Sequence, residues 1–154
     1  REAPVQEEQG GTRLSDAKKS VLFVEDEPER NRRIADGLGD EGFVVDTATS
    51  LTECVSKLQE DQYDVVLLDI MLPPGDDGDW SDVPPIDAGV ALLERLRAGE
   101  LSGVPSDLPV VVLTAITRHE AALQRLGVAG YLYKPCSIRD VVGGVAAAFE
   151  GGGD

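Results

Sequence analysis

The stretch YDVVLLDI, residues 63–70, decides the fold. Its centre, Val65-Val66-Leu67-Leu68, is apolar without alternation, the pattern of a strand buried on both faces in a parallel sheet. Upstream, SVLFV (20–24) is a second short apolar run, and it ends in three acids, Glu25-Asp26-Glu27. Pro28 stands where the first turn of a helix tolerates a missing N–H. Ile34 and Leu38 follow at a spacing of four, so this helix runs to Gly39 or Gly42. FVVDTA (43–48) reads as a strand, and Ser50-Leu51-Thr52-Glu53 is a capping-box pattern that opens a helix to about residue 60.

Downstream of Asp69 the pattern continues after a long loop, LPPGDDGDWSDVPP (72–85). The spacing predicts a helix over 86–98, with Val90, Leu93 and Leu96 inward and Arg95 and Arg97 outward. LPVVVLTA (108–115) is a fourth strand, and a short helix over 118–126 ends at Gly127. GYLY (130–133) is a fifth strand, followed by Lys134-Pro135. Ser137-Ile138-Arg139-Asp140 then caps a last helix to about residue 149, before a glycine-rich tail at 151–154. Residues 1–19 are polar, without apolar periodicity, and read as a flexible leader.

Strand and helix thus alternate five times. That order forces right-handed crossovers and predicts an α/β fold, a doubly wound five-stranded parallel sheet over residues 20–150. The length of 154 residues fits one domain, able to bury roughly 68–70% of its unfolded surface. Asp and Glu number 29 against 14 Lys and Arg, a net charge of −15. The clustered basic residues needed for direct binding to nucleic acid or to an anionic membrane are therefore not expected. No run of eighteen apolar residues and no hydrophobic signal core stand in the sequence. Cys54 and Cys136 form no CxxC pair, which fits a reducing, cytoplasmic location and no zinc site.

Sheets of this kind bind ligands at the carboxyl ends of their strands. Here those ends carry Glu25 and Asp26, then Asp69, Thr114 and Lys134. Grouped carboxylates repel unless a cation intervenes. Oxygen donors suit a hard cation such as Mg²⁺. An aspartate can accept a phosphoryl group covalently, with a metal and an ammonium neutralising the phosphoryl oxygens. The residues therefore read as a Mg²⁺-assisted phosphoryl acceptor on Asp69, with Lys134 as the ammonium and Thr114 as a hydroxyl donor. No GxxxxGK[ST] nucleotide loop is present. Taken singly, each residue has a blander reading: an acid after a strand as a turn or cap, Thr114 as a strand end, Tyr131 as a half-buried strand aromatic.

VLFVEDEP, VVLLDIMLP, VVVLTA and YLYKP, in that order, resemble the response-regulator receiver domains of two-component signalling. The resemblance covers residues 20–150 and implies a flavodoxin-like fold with strand order 2-1-3-4-5. It implies that Asp69 is the phosphoacceptor and that Asp26 and Asp69 bind Mg²⁺. Met71 would lend a backbone carbonyl, and Glu25 would act through water. It further implies that Thr114 and Lys134 contact the phosphoryl group, that Thr114 and Tyr131 form the switch, and that Lys134-Pro135 is cis. The phosphodonor would be a sensor histidine kinase or histidine phosphotransfer protein, and the output a contact with a downstream protein. Homodimerisation on phosphorylation is compatible with the family. The domain would catalyse its own phosphorylation and dephosphorylation without being a conventional enzyme. The alternative is a degenerate receiver, a protein-interaction module independent of phosphorylation. A haloacid-dehalogenase-type hydrolase would want an acid where Met71 stands.

Against the family pattern, the interval from Asp69 to Thr114 is longer by roughly a dozen residues, split between 73–85 and 99–108, and the fourth helix is trimmed. Acids Asp76, Asp77, Asp79 and Asp82 lack the alternation and terminal glutamate of a calcium loop. They read as a solvated loop, with a lid formed by Trp80 as the functional alternative. Cys54 and Cys136 read as packing residues, and His119 as a solvated position in the fourth helix.

Overall fold

The central strands are short apolar runs whose alternate residues serve opposite faces of one sheet. The structure is a computed structural model that describes residues 18–73, 75, 80 and 82–152. The expected leader therefore lies outside the described residues up to position 17, as do Asp76, Asp77 and Asp79 of the long loop. The elements are β1 (Ser20–Val24), α1 (Pro28–Asp40), β2 (Val44–Ala48), α2 (Leu51–Glu60) and β3 (Val65–Asp69). After the loop come α3 (Ala88–Arg97), β4 (Val110–Thr114), α4 (Glu120–Arg125), β5 (Gly130–Tyr133) and α5 (Ile138–Gly152). The strands form one sheet in the order β2-β1-β3-β4-β5, and every pair is parallel. The doubly wound sheet is thus what the strand–helix alternation predicted, and its flavodoxin-like 2-1-3-4-5 order what the resemblance implied.

The parity of β3 splits the core in two. Val65 and Leu67 pack with Ile34 and Leu38 of α1 and with Val141 and Val145 of α5. Val66 and Leu68 face the other way, onto Leu51 and Cys54 of α2 and Leu93 and Leu96 of α3. All five β3 residues are buried, as an all-apolar central strand requires. Burial of each such side chain contributes about 1.5–3 kcal/mol. β2 is an edge strand, which explains its weaker apolar pattern and the exposed Val44.

The ends of several elements differ from the sequence reading. A 3-10 turn, Pro85–Asp87, precedes α3, closed by the Asp87 N–H donating to the Pro84 carbonyl at 2.9 Å. α4 is only six residues long; Arg118 precedes it and His119 caps it. α5 continues to Gly152, into the segment expected to be a tail. Arg97 does not point into solvent. Its guanidinium donates to the carbonyls of Leu126, Ser106 and Leu108, each at 2.8 Å, and of Gly127 at 3.2 Å. The stretch 99–108 before β4 is thereby fastened to the turn after α4, and its own Leu101 and Leu108 are buried. Gly127, which ends α4, has φ +71°, a conformation costly for residues with a Cβ.

The long loop is closed at its base by Leu72 N–H donating to the Pro85 carbonyl at 3.2 Å. Trp80 is not a lid over the strand ends. It is 4% exposed and packs on α3, with the Arg95 guanidinium 4.1 Å above its ring. A large apolar ring gains more from burial than from covering a charged site. Asp82 is exposed.

Candidate functional site

Three strand ends meet at one edge of the sheet. β1 delivers Glu25, whose N–H donates to the Ala48 carbonyl at 2.9 Å and extends the ladder one residue further. The chain then turns into α1, with Glu27 capping it by accepting the N–H groups of Glu29 and Arg30. This leaves Glu25 fully buried and Asp26 exposed. β3 delivers Asp69, which pairs with Leu113 of β4, so Thr114 sits one residue beyond it. β5 delivers Lys134, whose N–H donates to the Thr114 carbonyl at 2.8 Å. The Lys134-Pro135 bond is cis, as the resemblance implied.

Asp69 is 3% exposed and both of its oxygens are engaged. Oδ2 accepts from Lys134 Nζ at 2.9 Å, and Oδ1 accepts from the Met71 N–H at 3.2 Å. Burial pushes the Asp69 carboxyl up to about 6; the negative Glu25 adds to the rise, while Lys134 opposes it. Burial would also raise Glu25, but the Glu27 N–H, Lys134 and Arg30 outweigh it and hold this carboxyl below its ordinary value. Glu25 Oε2 accepts from Glu27 N–H and from Arg30 Nη1, each at 3.1 Å, and Oε1 lies 3.5 Å from Lys134 Nζ. One carboxylate is thus held ionised while its neighbour takes up a proton more readily.

Glu25, Asp26 and Asp69 each offer a carboxylate oxygen, and these oxygens lie within 4.8 Å of one another. The set is all oxygen, and one member, Asp26, is open to solvent. That chemistry fits a hard divalent cation that keeps several waters.

The other expected residues have specific surroundings. The Thr114 hydroxyl donates to the Ile116 carbonyl at 3.0 Å and accepts the Ile116 N–H at 3.1 Å. It is therefore occupied by its own loop. Tyr131 stacks on Tyr133, with ring centroids 5.4 Å apart, and its hydroxyl is enclosed without a hydrogen-bond partner among the described residues. Met71 is exposed beside the site. Cys54 is fully buried and Cys136 half-buried, both as packing residues. His119 is not solvated. Its Nε2 lies 3.0 Å from the Ile86 carbonyl oxygen and 3.1 Å from Asp87 Oδ1, tying the start of α4 to the start of α3.

Two residues at the site escaped the sequence reading. Arg30 pairs with Glu25, and Asn31 Nδ2 donates to the Glu25 carbonyl at 3.0 Å. The available signal was position: both lie in the first turn of the helix that leaves the acidic strand end, facing back toward it.

Fold and site together define a class, a doubly wound parallel α/β domain with a lysine-neutralised acidic cluster at the carboxyl edge of its sheet. The family model described as the response regulator receiver domain matches residues 21–146. The chain belongs to this family of two-component signal transduction. It is 30% identical over 135 residues to the transcriptional activator protein IrlR of Burkholderia pseudomallei, covering 86% of this chain and 51% of IrlR. It is 34% identical over 125 residues to the probable transcriptional regulatory protein TcrX of Mycobacterium tuberculosis, covering 80% of this chain and 46% of TcrX. The chain spans about half the length of these two relatives. Among solved structures it resembles a CheY-like receiver domain protein from Methanospirillum hungatei JF-1, with TM-score 0.70 and 21% identity. That match covers 88% of this chain and 96% of the other. The non-phosphorylated HemR receiver domain from Leptospira biflexa matches with TM-score 0.67 and 24% identity, over 85% of this chain and 94% of the other. Among the described residues no helix is long and apolar enough to cross a membrane.

Proposed function

We propose that the chain is a phosphorylation-dependent switch that accepts a phosphoryl group on Asp69 from a sensor histidine kinase or histidine phosphotransfer protein. The observation that carries this reading is the buried Asp69 carboxylate with Lys134 Nζ at 2.9 Å, beside Glu25 and Asp26. Asp26, Asp69 and the Met71 backbone carbonyl would hold Mg²⁺, with Glu25 acting through water. When bound, the ion supplies positive charge to the phosphoryl oxygens. Asp69 is the nucleophile. One of its oxygens bonds to phosphorus, the phosphorus–nitrogen bond of the donor histidine breaks, and the electron pair leaves on the imidazole nitrogen. A carboxyl with its pKa near 6 is still mostly ionised at neutral pH, and is more basic than an ordinary aspartate. Lys134 balances the charge that Asp69 then carries. The new phosphoryl group competes for the Thr114 hydroxyl, drawing it from Ile116. Tyr131, on the neighbouring strand, follows that movement, so that the phosphoryl state biases a partner-binding surface. The reading keeps the expected cytoplasmic location and a protein as downstream target.

The test is intact-mass measurement after incubation with Mg²⁺ and acetyl phosphate. One labile phosphoryl group is expected on the wild type and none on Asp69→Asn. Absence of labelling with every donor tried sinks the proposal in favour of an interaction module independent of phosphorylation. Steady phosphoester turnover sinks it in favour of a hydrolase.

A further inference from the structure

We infer that Arg30 is a resident counter-ion of the acidic cluster that holds down its affinity for a divalent cation. The inference rests on the metal-binding role proposed above and adds Arg30 to the residues that govern it. Glu25 is fully buried, so water does not neutralise it. Its Oε2 is already taken, by the Glu27 N–H and by Arg30 Nη1, each at 3.1 Å. Lys134 is shared between Glu25 and Asp69, whereas Arg30 makes its close ion pair with Glu25, among the described residues. Three carboxylates thus face two cationic groups. A divalent ion entering beside them meets the guanidinium as well as the ammonium, and its attraction to the cluster is smaller by one charge at close range. The Arg30 side chain is 36% exposed. It can swing out without opening the core, so the competition is reversible.

Arg33 provides an internal control. It lies one helical turn from Arg30 and lines the same cleft of about 440 Å³ with Lys134 and Cys136. No ion pair joins it to Glu25 among the described residues. Replacing either arginine by glutamine removes the same formal charge, but only Arg30→Gln removes the contact.

The experiment is calorimetric titration of the full chain with MgCl₂ at low ionic strength, after a circular-dichroism melt of each variant. Arg30→Gln is expected to bind Mg²⁺ roughly 3- to 10-fold tighter than wild type, with the gain shrinking in high salt. Arg33→Gln is expected to stay within about two-fold. Arg30→Met, which keeps the aliphatic stem against the cleft, replaces Arg30→Gln if the latter does not fold. Equal or weaker binding by the Arg30 variant overturns the inference, as does an equal gain in Arg33→Gln. If neither wild type nor variant takes up Mg²⁺, the metal-binding reading itself fails, and this inference with it.

Discussion

Lys134 Nζ lies 2.9 Å from Asp69 Oδ2 and so joins the end of β5 to the end of β3 across the intervening β4. The same nitrogen lies 3.5 Å from Glu25 Oε1 at the end of β1. One ammonium therefore serves carboxylates from two strands, and the electrostatics of the site are read most directly by perturbing it.

Lys134→Met keeps the length and removes the charge. Asp69 loses its hydrogen bond from Lys134, and with it the only cation in ion-pair contact with it among the described residues, so its carboxyl should titrate above about 6. Removing one partner of this mostly buried pair is expected to cost about 1–3 kcal/mol at neutral pH. Carboxyl-carbon NMR titration and urea melts measure the two effects. An unchanged Asp69 titration would show that the lysine does not govern the carboxylate.

Asp69→Asn should become more stable relative to wild type as pH rises. The folded Asp69 titrates near 6 against an ordinary value of 3.8, so between these values the folded chain holds a proton that the unfolded chain has released. Stability from this group is therefore lost as pH rises through that window, by about 2–3 kcal/mol. Asparagine carries no such slope. Denaturant melts of both proteins at several pH values from 4.5 to 7 check this. A difference that stays flat would mean that Asp69 is not desolvated as its burial implies.

Arg97→Lys should loosen the stretch 99–108 before β4. A lysine ammonium has three donors on a point charge and cannot reproduce the fork that reaches four carbonyls. A loss of about 2–4 kcal/mol is expected. Hydrogen exchange should speed up over residues 102–108 and 126–128 while α1 is unaffected. Uniform faster exchange across the chain would instead indicate global destabilisation.

Mg²⁺ should leave the fluorescence of Trp80 nearly unchanged. The ring is packed on α3 with Arg95 above it, and is expected to emit as a buried indole. Emission spectra taken along the calorimetric titration decide the point. A large saturable change at the same midpoint would restore a coupling between the long loop and the acidic cluster.

Much of this architecture was legible in the chain itself. Val65-Val66-Leu67-Leu68 reads as a doubly buried strand, because unbroken apolar character over so short a run leaves no face for water. The capping pattern at Ser50 and Glu53 fixed the start of α2: Ser50 Oγ accepts the Glu53 N–H as expected, while the Glu53 carboxylate accepts from Thr49, one residue before the cap. Glu25, Asp26 and Asp69 were placed at strand ends by periodicity, and the parallel sheet put those ends on one edge.

Other features follow from contacts that no local window holds. Lys134 is 65 residues from Asp69 and 109 from Glu25. Trp80 and His119 looked solvated because their sequence neighbours are polar, and Arg97 because helix spacing turned it outward, yet each meets residues distant in sequence. Arg30 was one charge among several on an exposed-looking helix until the turn after β1 aimed it at a buried carboxylate. Sequence fixes which residues lie on a face or at an end, since that depends on backbone periods of two and 3.6 residues. Tertiary packing alone decides which of those residues meet, since charge pairing falls off over a few ångströms and depends on how the crossovers bring the elements together.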